Sequence, residues 1–442
     1  MKSFIDIKNK NDDKSYHNLI KKNVALISDS TSQLLAIGLK SCGYERGLDL
    51  KVLEFPYIRI EQGIDNIFKS VINCSPDYVI INYSTQKVLD QYYNVSKEDR
   101  TLFFKDWLNS CDKTLKAINN NINCEIVINN LIEIDDNIFG NFANKLRQSF
   151  KYQIRKINLN LMELSQDISN LHIADHLTLQ SQYGNKVVSQ PKFYYSSEIA
   201  YNIDFIPKIS KNILDIIDAM NGQFKKCLIL DLDNTLWGGI IGDIGIENIE
   251  IGSLGIGKVF SDIQRWALEL KQRGIILAIC SKNDEKLAKE PFIKHPDMIL
   301  KLDDISIFIA NRMNKAENIK LIKETLNIGY DSMVFIDDNQ SERNIVSEIH
   351  PKITVPSLPS DPSEYLTHLQ NLNLFETASF TTLDIKRHKQ YQQEYQRVKR
   401  KFNHKDETEY LKSLGLTAKI NDLNNFNAPR ASQLLQRSNQ FN

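Results

Sequence analysis

Residues Leu228–Trp237 read Leu-Ile-Leu-Asp-Leu-Asp-Asn-Thr-Leu-Trp, an apolar strand that runs straight into two aspartates one residue apart. Side chains at i and i+2 on a strand point to the same side. Asp231 and Asp233 are therefore expected to converge at the strand's C-terminal tip, where open α/β sheets bind their ligands. Two like charges that close repel, and one protonates unless a cation sits between them. The arrangement suits a Mg²⁺-assisted transfer of a phosphoryl group.

The rest of the chain alternates strand and helix patterns. Apolar runs at Val24–Ile27, Val52–Phe55, Tyr78–Ile81, Glu125–Ile128 and Leu171–Ala174 are separated by turns and helical stretches, the longest at about Phe142–Ile168. This alternation predicts a parallel, doubly wound sheet. A second α/β unit is expected from Phe205, with strands Cys227–Leu230, Ile275–Cys280, Met298–Leu302 and Met333–Ile336 and a helix over Val259–Gln272. Pro351–Pro362 holds four prolines and reads as a linker or surface crossing. Beyond it, Leu383–Phe402 reads as a charged helix, Leu414–Ile420 as a strand and Ala431–Arg437 as a short helix, the opening piece of a further domain. The expected divisions are 1–204, 205–375 and 376–442.

Composition sets limits. A chain of 442 residues exceeds one hydrophobic core, and two or three domains are expected. Lys+Arg and Asp+Glu each total 55, so no global field draws in nucleic acid or an anionic membrane. The six cysteines are scattered without a CxxC pair, which reads as reduced thiols in a cytoplasmic protein. Met1–Lys22 is polar and charged, unlike a signal peptide, and no apolar run approaches the roughly 20 residues needed to span a bilayer.

Four short elements carry the chemistry: Asp231-Leu-Asp233-Asn-Thr235, Ser281-Lys282-Asn283, Lys315 on a helix starting near Asn314, and Asp337-Asp338. Three of them follow expected strands and should share one crevice. A carboxylate can attack phosphorus to form an aspartyl phosphate that water then hydrolyses. Asp231 is the candidate nucleophile. Asp233 can protonate the leaving oxygen and then take a proton from the attacking water. Asp337 completes a hard oxygen site for Mg²⁺, with Asp338 bound directly or through water. Ser281 can donate to a phosphoryl oxygen, and Lys315 adds positive charge. Each like-charge pair at 4 Å costs about 4 kcal/mol at an effective dielectric of 20, so the site needs both cations. Taken singly, the same residue types serve as helix caps, turns and solvated lysines; the pattern lies in their order and placement.

In that order they resemble the four motifs of the haloacid dehalogenase (HAD) superfamily of aspartate phosphatases. The resemblance implies Asp231 as nucleophile, Asp233 as acid/base, and Mg²⁺ held by Asp231, the carbonyl of Asp233, and Asp337. Family caps enter between the first and second or second and third motifs, and neither gap here has room for one. The glycine-rich Gly238–Gly252 is at most a small hairpin flap, or a plain surface turn. A capless site is open to a bulky phosphorylated substrate or a carrier-bound one. The expected fold is thus a capless HAD-like doubly wound parallel sheet, preceded by an SGNH-like (flavodoxin-like) α/β domain and followed by the start of an acetyltransferase-like domain.

Asp231–Gly252, Ala278–Asn283 and the tail Arg430–Asn442 are similar to FkbH-like proteins, the subfamily IIIC group of that superfamily. Some members take 1,3-bisphosphoglycerate, remove a phosphate and load glyceryl onto an acyl carrier protein, with the acyl group passing through an enzyme cysteine. Cys280 is then the candidate acyl-carrying residue, its thiol acidified by Lys315; otherwise it is a small buried residue closing a strand. The partners implied are a phosphorylated small molecule or carrier-bound substrate and an acyl carrier protein.

Ser28-Asp29-Ser30-Thr31-Ser32 is similar to the Gly-Asp-Ser nucleophile turn of SGNH hydrolases, with Ser28 in place of the glycine. A serine nucleophile needs a histidine base oriented by an acid. The nearest match, His172-Ile-Ala-Asp175-His176, has the wrong spacing for that family, so Ser30 reads as a helix N-cap or relic. The basic stretch Lys386–Lys401 suits a solvated helix face or an acidic carrier. Three functions are open: a Mg²⁺-dependent phosphatase or phosphotransferase, a glyceryl-loading enzyme, and a non-catalytic docking module.

Overall fold

A computed structural model of the chain describes residues 3–9, 18–56 and 66–380, with 422–424, 427, 428 and 431. The expected helix Leu383–Phe402, its basic stretch, the strand Leu414–Ile420 and nearly all of Ala431–Arg437 lie outside the described residues. Contacts divide the chain into two units. The first holds Met1–Cys227, Asp331–Phe335 and residues 352–380; the second holds Leu228–Tyr330 and Ile336–Pro351. No helix among the described residues is long and apolar enough to cross a membrane.

The first unit is built on a five-stranded sheet in the order β2-β1-β3-β4-β5. Its strands are β1 (Ile20–Ser28), β2 (Leu48–Pro56), β3 (Tyr78–Asn82), β4 (Glu125–Asn129) and β5 (Leu171–Ala174), all paired in parallel. Alternation along β1 sends Val24 and Leu26 into one apolar core and Ala25 and Ile27 into the other. A sheet buried on both faces needs such unbroken apolar runs, and parallel crossovers supply the covering helices. The five strands lie where the apolar runs predicted them. The long helix is shorter at its start than expected: Phe150–Asp167, capped by Ser149, follows a 3₁₀ turn at Gly140–Lys145.

The helix Ile206–Met220, which the sequence reading placed in the second unit, belongs by its contacts to the first. Its Ile206, Ile209, Ile213 and Ile217 join the core formed with Val24 and Leu26. It approaches the helix Gln33–Tyr44 so closely at Gly38 that a Cβ there would sit 2.4 Å from Ser210 Oγ.

A second, four-stranded sheet has the order β8-β7-β6-β9, with β6 (Cys227–Leu230), β7 (Ile276–Ser281), β8 (Ile307–Ala310) and β9 (Met333–Ile336). The residues of β6, β7 and β9 are all buried. One expected strand is displaced. Met298–Leu302 forms no strand, and the sheet takes Ile307–Ala310 instead, parallel to β7. Met298 and Leu300 are buried, as their apolarity suggests, but the N–H groups of Ile299 and Leu300 donate to the Gln264 side chain rather than to a neighbouring strand. The expected helix Val259–Gln272 starts earlier, at Gly255. Gly238–Gly252 is a loop closed by a single antiparallel bridge between Gly238 and Glu250, with a short helix at Ile241–Ile244.

Candidate active site

Strand ends place the site. Asp231 directly follows β6, and its N–H donates to the Ile336 carbonyl at the end of β9. Asp337 and Asp338 directly follow β9. Ser281 closes β7. Lys315 opens the helix Lys315–Leu326, whose N-cap Asn314 accepts from the Ala316 N–H. The second unit therefore brings Asp231, Ser281, Lys315, Asp337 and Asp338 to one end of its sheet.

The carboxylates converge. Asp231, Asp337 and Asp338 each offer an oxygen within 4.8 Å of the others, with Asp231 and Asp337 buried. Lys315 Nζ lies 2.7 Å from Asp231 Oδ2 and 2.6 Å from Asp337 Oδ2. Burial pushes the Asp231 and Asp337 carboxyls above the ordinary range, with Lys315 opposing the shift. Burial likewise raises Asp338, helped by the charge of Asp231. Burial works against the Lys315 ammonium, yet the two carboxylates outweigh it and hold the ammonium well above its usual value. Ser281 stands beside Asp231 and favours its ionised form.

This donor set fits a hard divalent cation. Oxygen-only ligands suit Mg²⁺, and Asp231 Oδ1 is buried with no hydrogen-bond partner. Such an acceptor is costly unless something positive meets it. Arg343 Nη1 donates to the carbonyls of both Asp337 and Asp338, which fixes the loop that presents them.

Asp233 behaves differently from the other aspartates. Its carboxylate is not among the three clustered groups. Its Oδ1 accepts from Trp237 Nε1 at 2.9 Å and the Ile241 N–H at 3.1 Å, and its Oδ2 accepts from Asn283 Nδ2 at 2.9 Å. Neither the Asn283 nor the Trp237 contact was foreseen. Both residues stand in motifs the sequence singles out; Trp237 is only four residues from Asp233, whereas Asn283 is 50 residues away and leaves no local signal.

Cys280 does not have the environment expected of a thiolate. Its side chain is fully buried in β7, and its Sγ donates to the Lys315 carbonyl at 3.7 Å. The cationic neighbour is present, but burial outweighs it and pushes the thiol well above its ordinary pKa.

The turn after β1 is also corrected. Ser30 is not the cap of the following helix; Ser32 holds that position, and its hydroxyl donates to Glu54 at 2.5 Å. The Ser30 hydroxyl lies 3.4 Å from that of Ser28. His176 is fully buried, with Nδ1 2.7 Å from the Tyr201 hydroxyl, and burial lowers its pKa to about 3. Asp175 caps the helix His176–Tyr183 through the Thr178 N–H. His172 instead meets Glu125 at 3.1 Å. These partners leave neither His172 nor His176 poised as a base for Ser30.

Residues 23–218 match the family described as the FkbH N-terminal domain. The chain is also similar to the N-terminal part of protein BF1531 from Bacteroides fragilis, a structure containing a phosphatase domain complexed with Mg. The two are 44% identical, with a TM-score of 0.81, over 86% of this chain and 100% of that one. The chain belongs to the FkbH-like family. A second structure, the salicylyl-acyltransferase SsfX3 from a tetracycline biosynthetic pathway, is 14% identical with a TM-score of 0.29 over 46% of this chain and 56% of that chain, too slight to carry an argument. No curated protein matches. The FkbH-like assignment thus rests on the N-terminal match and on a relative that is itself a phosphatase-domain protein.

Proposed function

We propose that this FkbH-like chain is a Mg²⁺-dependent phosphatase or phosphotransferase that works through an aspartyl phosphate on Asp231. The observation that carries the reading is the meeting of Asp231, Asp337 and Asp338 around one point, with Lys315 bridging two of them. The Mg²⁺ complexed by the relative from Bacteroides fragilis supports the choice of ion.

Asp231 and Asp337 would hold the ion, with Asp338 beside them and the Asp233 carbonyl as the ligand the HAD resemblance implies. When bound, Mg²⁺ supplies charge neutralisation to the phosphoryl group. Asp231 attacks phosphorus with a carboxylate oxygen. Asp233 gives a proton to the leaving oxygen and then takes one from the attacking water. Lys315 offsets the charge of Asp231 and Asp337 and opposes the effect of burial on both. Ser281 can donate to a phosphoryl oxygen. The deciding experiment is phosphate release from 4-nitrophenyl phosphate with Mg²⁺. Turnover by wild type and its loss in Asp231→Asn are expected; no turnover by wild type, or undiminished turnover by the variant, sinks the reading.

The FkbH match over residues 23–218 favours a second reading, loading of a glyceryl group from 1,3-bisphosphoglycerate onto an acyl carrier protein. It predicts a covalent three-carbon adduct on a cysteine, visible by intact mass after incubation with the acyl phosphate. Cys280 would carry it only if the strand opened to expose the thiol. A non-catalytic docking module is disfavoured by the intact set of Asp231, Asp233, Lys315 and Asp337.

A further inference from the structure

Asp233 is held by more donors than a turn aspartate needs. A carboxylate oxygen has about two acceptor positions. Both positions on Oδ1 are filled, by Trp237 Nε1 and by the Ile241 N–H in the flap. Oδ2 accepts one hydrogen bond, from Asn283 Nδ2 at 2.9 Å. One position on Oδ2 therefore remains, and an acid proton on Asp233 must sit there.

Asn283 is not needed where it stands for a helix cap. The N-cap of Glu285–Lys294 is Asp284, whose side chain accepts from the N–H groups of Lys286 and Leu287. Asn283 is 8% exposed and directs its amide inward, to Asp233 and to Ser281 Oγ at 3.3 Å. It links the acid/base group to the residue beside the nucleophile.

We propose that Asn283 is a positioning residue that confines the Asp233 proton to the free position on Oδ2 and aims it at the leaving group. This rests on the phosphoryl-transfer reading above. In the first step, an Asp231 oxygen bonds to phosphorus and the bond from phosphorus to the leaving oxygen breaks. The electron pair goes to that oxygen, which takes the proton from Asp233 Oδ2. In the second step, water bonds to phosphorus, its proton goes to Asp233 Oδ2, and the bond from phosphorus to Asp231 breaks. Asn283 donates to Oδ2 in both protonation states of Asp233. Without it the carboxyl keeps its anchor on Oδ1 but the other oxygen is free to swing.

The readout is the leaving group. An alkoxide departs poorly without a proton, whereas 4-nitrophenolate departs without help. General-acid assistance is worth about 10²–10⁴-fold. In the full chain with Mg²⁺, Asn283→Ala is expected to lower kcat/KM, which reports the steps up to departure of the leaving group and not the shared second step, about 10²-fold for n-propyl phosphate and less than about 3-fold for 4-nitrophenyl phosphate. The ratio of the two rates is independent of the fraction of folded enzyme, so partial unfolding does not mimic the result. Asn283→Ser serves as a second variant. In an Asp233→Asn background, Asn283→Ala should add no further leaving-group selectivity. An equal loss for both esters, no loss at all, or selectivity that adds to that of Asp233→Asn overturns the proposal and leaves the phosphoryl-transfer reading intact. A wild type that turns over neither ester overturns both.

Discussion

Lys315 and Asp231 form a buried ion pair, Nζ to Oδ2 at 2.7 Å, with side chains 3% and 9% exposed. The same ammonium reaches Asp337 at 2.6 Å. One cation thus compensates two carboxylates that burial alone would drive toward protonation. Removing it leaves buried charge unpaired, which costs about 3–5 kcal/mol. Lys315→Met is expected to lower Tm markedly in EDTA and to recover part of that loss in Mg²⁺. Thermal melts in the two buffers test this, and equal losses in both would contradict it.

The unpartnered Asp231 Oδ1 and the three clustered carboxylates predict that Mg²⁺ stabilises the fold. A ligand at 100 times its Kd adds about 2.7 kcal/mol. The Tm of wild type should rise with Mg²⁺, and Asp337→Asn should flatten that dependence. Chelation should abolish turnover. A Tm indifferent to Mg²⁺ in wild type would count against a metal at this site.

Asp29 carries a stability signal in pH. Burial pushes its carboxyl up to about 7, despite the Ser84 N–H that donates to it at 2.8 Å. Between the ordinary carboxylate range and about 7, the native state keeps a proton that the unfolded chain releases. This contribution is fully present below that window and is lost as pH rises through it, on the order of 4 kcal/mol at 1.36 kcal/mol per pKa unit. His176, lowered to about 3, tilts stability the opposite way up to its ordinary pKa. The Asp29 contribution is therefore read as a difference: Asp29→Asn should gain stability relative to wild type between pH 5 and 8. A constant difference across that range would refute it.

Gly38 permits the contact between the helices Gln33–Tyr44 and Ile206–Met220. An added Cβ would meet Ser210 Oγ at 2.4 Å and Ile206 Cγ2 at 2.7 Å. Gly38→Ala is expected to cost about 1–3 kcal/mol by overpacking. Ser210→Ala in the same chain should restore part of it, because the nearest clashing atom is removed. Urea melts of the single and double variants decide the matter.

Cys280 should resist alkylation in the folded state, since its thiol is buried and held protonated. Mass spectrometry after iodoacetamide treatment is expected to find Cys280 unmodified until denaturant is added. Rapid labelling of the native protein would revive it as an acyl carrier.

Much of the fold was legible because it depends on local pattern. Runs such as Tyr78–Ile81 and Met333–Ile336 have no polar face, and only a strand covered on both sides accommodates them. The displaced strand shows where this stops. Met298–Leu302 buries Met298 and Leu300, Ile307–Ala310 is buried throughout, and sequence does not say which pairs with β7. The choice depends on Gln264, a distant helical side chain that captures two backbone N–H groups of the first run.

The placing of Asp231, Ser281 and Asp337 at strand ends was written in the chain itself, because β6 and β9 are each followed directly by an aspartate, β7 finishes on Ser281, and parallel strands gather such ends on one edge. Partnership and burial were decided only in three dimensions. Asp233 is set apart from the other aspartates by donors from a flap and from the end of β7. Cys280 keeps its proton and His176 has lost its own because surrounding helices and strands exclude water from both. Those effects come from atoms far away along the chain, and a one-dimensional pattern carries no record of them.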